Sequence, residues 1–348
     1  MGYNRILTPR AYIDLISYNL AHGWSTASNI TVLQDNGSPV TFNTGTKESM
    51  FDLRPANFAQ IDDATQAFYI QYDTEFSTDS LAESNYIAIL GHNFADADAV
   101  FKVEIDDSAT MASPTIVTTT GSHTKVKNAT ADGDAGYIDP DFNGWTLITW
   151  STQTSDNRYV RITIEHDTNA TTNFTEDVQI GAILYGEYID FPHSPDLSIQ
   201  TSVDYDGTKL QGSVGGNTYA NTASFGQPKW AATVPWNNST TGGQETYSFN
   251  HRYGRIGHKM NFSFIADTNL FAPNQHNVGT PNWFDSSDLH SQFYNKILGQ
   301  HNPFLFSIDK DSTEEGDYGL FRLADSGLNA TQVANRTWSM GLNIVETW

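Results

Sequence analysis

The sequence predicts an all-β protein built of β-sandwiches, with one or two short helices. Two observations carry that prediction. Stretches such as "VFKVEID" and "RYVRITIEH" alternate apolar and polar residues with the period of two that a half-buried strand requires. The composition agrees: charged residues make up only 17% and aromatics 13%, with Thr, Asn, Ser, Gly and Tyr supplying the polarity and the turns. Strands do not alternate with helices along the chain, which disfavours a parallel α/β architecture. At 348 residues there is room for two domains of ordinary size.

Taken in order, residues 8–23 read as a helix, with Thr8 as N-cap, Pro9 at the first helical position, Gly23 closing it, and Ile13, Ile16 and Leu20 on one face. Short strand-like pieces between turns occupy 24–65. From 66 to 191 the strand signals are strong: "QAFYIQYD", the nearly continuous apolar "YIAIL", the alternating Phe101, Val103 and Ile105, "TLITW", "RYVRITIEH" and "VQIGAILYGEYIDF". A polar loop at 121–144 interrupts them. "FPHSPDL" at 191–197 reads as a junction. Beyond it the strands resume, broken by a helix at 285–299 that Asp285 or Ser286 would cap. Asp288 favours its positive end, Leu289, Phe293 and Ile297 face one way, and Gly299 ends it. "PFLFSID" and the closing "RTWSMGLNIVETW" are strands, the latter with Trp338, Met340, Leu342 and Ile344 on one face. The predicted organisation is therefore 1–65, packed with the C-terminal part; 66–191, one sandwich; and 192–348, a second.

Composition also excludes several functions. There is no cysteine, so disulfides, thiolate metal sites and cysteine nucleophiles are all ruled out. The formal net charge of -22 repels a phosphate backbone and an anionic bilayer, so neither nucleic acid nor membrane is an expected partner. No stretch approaches the roughly 20 apolar residues of a membrane span, and the first residues lack the apolar core of a signal peptide, so a soluble protein without a leader is expected. The sequence shows no Gly-x-Ser-x-Gly elbow, no His-Glu-x-x-His and no phosphate loop, and no catalysis is expected.

Two family resemblances add to this reading. "NYIAILGHNF", the Asp106-Asp107 turn, and "NRYVRITI" leading into "VQIGAILYGEY" make residues 66–191 resemble the galactose-binding-like jelly roll of discoidin-type domains. That fold serves both sugar-binding and purely structural modules. The 285–299 helix, "NPFLFSID" and "WSMGLNIVE" resemble the tail-tube-like β-sandwich of bacteriophage tail proteins of the distal-tail or minor-tail type. In this chain the jelly roll precedes most of the tube-like part rather than following it. The resemblance implies a structural virion protein in a tail or baseplate, made in the host cytoplasm. It would form a homo-oligomeric ring, for instance a hexamer, with other tail proteins as neighbours. The alternative is a carbohydrate-binding, receptor-recognising module of the tail tip or of a cell surface, with a host glycan as partner.

Candidate site residues follow from these readings. At Gly91-His92-Asn93, His92 offers a titratable ligand or base and Asn93 a partner for a sugar hydroxyl; the structural alternative is a corner between strands. Trp145 and Trp150 flank "TLIT", where exposed rings would stack on a sugar and buried ones would fill the core. No cofactor is expected. The one metal candidate is "DGDAGYIDPD", whose Asp132, Asp134, Asp139 and Asp141 offer oxygen ligands suited to Ca2+, although a solvated acidic loop has the same composition. Trp338, Met340, Leu342 and Ile344 are the candidate subunit interface, through which the last strand would pack on a neighbour.

Overall fold

A long antiparallel sheet runs through the protein, and the expected all-β class follows from it. The computed structural model describes residues 7–76, 83–131, 136–153, 158–204, 209–221, 255–272 and 287–347. Within these, the long sheet is ordered Gln200–Asp204, Arg255–Ala266, Thr337–Glu346, Tyr318–Leu323, Phe304–Ser307, Arg10–Asp14, Ala182–Asp190, Ser84–Leu90, Trp145–Gln153 and His123–Lys127. Asn329–Ala334 pairs with Thr337–Glu346 off this path.

A second sheet, centred on Ala99–Asp106, Tyr159–His166, Phe68–Asp73 and Ile30–Gln34, completes the jelly-roll sandwich. Its Ile70, Val103, Ile105 and Ile162 meet Ile87, Ile89, Ile148 and Ile183 of the long sheet in one apolar core. The opposite face of the long sheet is covered as well, with Tyr86, Ala88, Leu90 and Leu147 packed beside Tyr12, Leu305 and Leu320. All seven residues of Ser84–Leu90 are therefore buried. This explains why "YIAIL" reads as a continuous apolar run, whereas "YVRITIEH", buried at every second residue, alternates.

The N-terminal segment corrects the sequence reading. Residues 8–23 are not one helix: Arg10–Asp14 is a strand, inserted between Ala182–Asp190 and Phe304–Ser307. Helix begins only at Leu15 and ends at Ala21. Its cap is Asp14, whose Oδ2 accepts from the Ser17 amide at 2.9 Å and whose Oδ1 accepts from the Tyr185 amide at 3.0 Å. The carbonyls of Thr8 and Pro9 accept from Lys310 and Phe191 rather than starting a helix. Long-range pairing has overridden the local signal. The backbone approach here is close, since a Cβ on Gly186 would lie 2.4 Å from the Ile13 carbonyl. Of the rest of 1–65, Ile30–Gln34 pairs with Phe68–Asp73 and Ala59–Ile61 with Val178–Ile180, both strands of the 66–191 block.

The expected 285–299 helix is also reduced. Residues 285 and 286 lie outside the described residues. From 287 on, the chain makes one π-helical stretch, His290–Tyr294, followed by turns. Asp288 caps it, accepting from the Ser291 amide at 2.9 Å. The apolar face is as read: Leu289, Phe293 and Ile297 are buried against Phe262, Phe304 and Met340. Lys296, 1% exposed, reaches Glu187 at 3.4 Å and so ties this segment to the jelly-roll strand Ala182–Asp190.

Candidate functional site

The Gly91-His92-Asn93 corner is built by its backbone. Gly91 has φ +71, and its amide and that of His92 both donate to the Gly144 carbonyl. His92 is 3% exposed, lies flat on Phe94 with ring centroids 4.6 Å apart, and places Nε2 3.0 Å from the Thr146 hydroxyl. Burial pushes its pKa down to about 3, so the ring is neutral at physiological pH. Asn93 accepts from the Gln179 amide and donates to the Asp177 carbonyl, stapling the corner to Val178–Ile180. Neither side chain is offered to a ligand; the corner reading holds.

Trp145 and Trp150 are core residues, 0% and 1% exposed. Trp145 packs beside Tyr318, and Trp150 donates its indole N–H to the Ser84 carbonyl at 3.2 Å. A sugar cannot reach either ring, which corrects the stacking expectation for both. The apolar face of the last strand is likewise internal. Met340, Leu342 and Ile344 pack on Met260, Phe262 and Phe293 of the same chain. Trp338, half-buried, donates to Asp267 at 2.9 Å and meets Phe271 edge to face. Thr337–Glu346 has partners within the chain on both sides, so this strand is not free to extend a neighbour's sheet.

Of the acidic candidates, Asp132 and Asp134 lie outside the described residues. Asp139 and Asp141 line an open cleft of about 470 Å³ with Asp98, Asn128 and Asp167. Asp141 accepts from both the backbone and the side-chain amide of Asn143, and partial burial raises its pKa above the usual carboxylate value. Elsewhere Asp62, Asp63 and Asp177 bring carboxylate oxygens within 4.8 Å of one another. These acids also serve as local caps: Asp177 accepts from Asn43 and from the Asp63 amide, and Asp62 from the Ala64 amide.

Two surface features escaped the sequence reading. The first is an arm. The strand Gln200–Asp204 at the end of the long sheet is exposed along its whole length. The hairpin Lys209–Gly212 with Thr218–Asn221 pairs with no other described strand. Across this region Leu197 is 100% exposed, and Val203, Leu210, Val214 and Tyr219 are exposed as well. Alongside runs a groove of about 1090 Å³, whose lining includes Gln200, Ser202, Lys259, Arg322 and Asn343.

The second feature is a ring cluster just past the first helix. Trp24 is 40% exposed and stacks on the exposed His22 at 4.6 Å and 17°. Tyr18 and Phe76 meet it edge to face. The available signal was an aromatic in a turn, outside any apolar period.

No family model matches the chain, and no curated protein does. Similar solved structures include a GH29 fucosidase from Ruminococcus gnavus, 14% identical over 47% of this chain and 26% of that one, with a TM-score of 0.30. A chitosan-binding module from a Paenibacillus chitosanase/glucanase is 16% identical over 45% of this chain and 93% of its own, with a TM-score of 0.28. A pectin-binding carbohydrate-binding module is 12% identical over 43% and 89%, with a TM-score of 0.25. The chain spans about a quarter of the fucosidase's length. These neighbours are sugar-binding or sugar-cleaving proteins and none of the three is a tail component. A likeness at such scores carries no inference about what this chain does.

Proposed function

We propose that this chain is a structural subunit without chemistry of its own, forming a ring or adaptor in a phage tail or baseplate through burial between copies. The tail assignment rests on the sequence resemblance of "NPFLFSID" and "WSMGLNIVE". The observation that supports assembly is the arm. Among the described residues the hairpin pairs with no further strand; a two-stranded hairpin alone is marginal in water, and this one carries Leu210, Val214 and Tyr219 exposed. A second copy is the proposed covering partner, because a symmetric contact buries the same apolar set on both copies; the groove beside the arm presents Lys259 and Arg322 together with Asp204. Analytical ultracentrifugation of the full chain tests this. The wild type is expected to sediment as a closed oligomer, and Leu210→Ser/Val214→Ser/Tyr219→Ser as a monomer of unchanged fold. An oligomer indifferent to all three substitutions would count against the arm as its contact.

The second reading is glycan recognition by the jelly-roll part, and the exposed Trp24–His22 ring pair favours it. The reading rests on those rings and not on the sugar-binding neighbours. Both functions fit one tail-tip subunit. Binding to immobilised glycans by the purified chain tests it.

A further inference from the structure

We infer that the His22–Trp24 ring pair, with Asn29, Glu75 and Arg158 on the adjoining loops, is the seat of an uncharged pyranose residue of a glycan. The inference rests on the glycan-recognition reading and gives it a place and a ligand class.

Trp145 and Trp150 are spent in the core and Trp338 is half-buried, whereas Trp24 is 40% exposed. The ring is held, not loose. The Trp24 amide donates to the Asn19 carbonyl at 3.0 Å, and the next residue, Ser25, bonds the Tyr72 hydroxyl at 2.6 Å. Thr26 and Asn29 close a capping box one residue further on. Tyr18 and Phe76 brace the indole edge to face, and His22 lies parallel to it. A ring fixed before binding loses little conformational freedom when a ligand arrives.

Polar groups are fixed on the same loops. Glu75, next to Phe76, accepts from Asn29 Nδ2 at 2.7 Å and from Arg158 at 2.9 Å. Arg158 is held in turn by both oxygens of Asp73, at 2.8 and 2.9 Å. The guanidinium, the carboxylate and the amide are each partly exposed, so each keeps bonding capacity toward solvent. A sugar offers the complement to this set: an apolar C–H face for the rings and hydroxyls, both donor and acceptor, for the rim. Charge narrows the class. Two carboxylates share one guanidinium here, on a chain of net charge -22, so carboxylated and sulfated sugars are repelled.

The test uses the full chain on an array of neutral hexose and N-acetylhexosamine oligosaccharides, with sialylated and sulfated ones for contrast. Any hit is then titrated in solution. Expected are neutral hits only, weakened about tenfold or more by Trp24→Ala and weakened also by Glu75→Gln. Asp139→Asn, in the acidic cleft, should bind as the wild type does. Circular dichroism confirms folding of each variant, and Glu75→Gln keeps the test open if Trp24→Ala misfolds. Binding undiminished in both Trp24→Ala and Glu75→Gln would overturn this seat and leave the glycan reading standing. A preference for acidic sugars would overturn the ligand class. A wild type that binds no glycan at all would overturn the reading and the seat together.

Discussion

His92→Gln should make the protein less sensitive to acid. The imidazole is wholly enclosed by Phe94 and the Thr146 hydroxyl, and its pKa falls from 6.5 to about 3 in the fold because burial disfavours the charged ring. Unfolding releases that constraint, so below 6.5 the unfolded chain takes up a proton that the native state refuses. The stabilising contribution is complete above about pH 6.5 and declines as the pH falls toward 3, at about 1.4 kcal/mol per pH unit. Between pH 7.5 and 5 this one residue should remove about 2 kcal/mol of stability. Urea unfolding of the wild type and His92→Gln at both pH values isolates the effect, because the carboxylates titrate alike in the two proteins. The wild type should lose about 2 kcal/mol more than the variant over that interval. Parallel losses, or an NMR titration placing His92 near 6.5, would refute the buried-corner account.

Other outcomes follow from the same packing. Trp150→Ala should cost about 3–5 kcal/mol in chemical denaturation, as removal of a buried indole does; a cost under about 1 kcal/mol would mean the ring is not core. Lys296→Met should destabilise by about 1–3 kcal/mol, because it leaves the half-buried Glu187 without its cation. Adding Glu187→Leu should then recover most of that loss, and a double variant no better than the single would contradict the pairing. Assembly should weaken at low ionic strength, since each copy brings a charge of -22 and screening falls as salt is removed; sedimentation across a salt series would show monomer appearing at the low end, and an oligomer strengthened there would oppose this reading.

Much of the fold could be read locally. The alternation of Phe101, Val103 and Ile105 identified a strand and its core face, although Glu104 and Asp106 on its other face are buried too; "YIAIL" identified a strand buried on both faces. The Gly91 corner was legible because a glycine between two strands signals the backbone freedom that its φ of +71 uses. "RAYID" was misread because its meaning depends on partners more than 170 residues away, at Ala182–Asp190 and Phe304–Ser307. The face carrying Met340, Leu342 and Ile344 was read as apolar, which it is. Which surface covers it is a tertiary fact, and Met260, Phe262 and Phe293 of the same chain do so. Trp145 and Trp150 failed as surface candidates for a related reason, because residue type alone does not say which side of a sheet faces solvent. Trp24 was overlooked because turns have no periodicity to flag an exposed ring.

Electron microscopy of the purified chain addresses the assembly claim most directly. A closed, rotationally symmetric particle in which the strand Gln200–Asp204 and the hairpin of Lys209–Gly212 and Thr218–Asn221 are sandwiched between adjacent copies is the expected image. Separate molecules at high protein concentration and moderate salt, each with Leu210, Val214 and Tyr219 facing water, would contradict it.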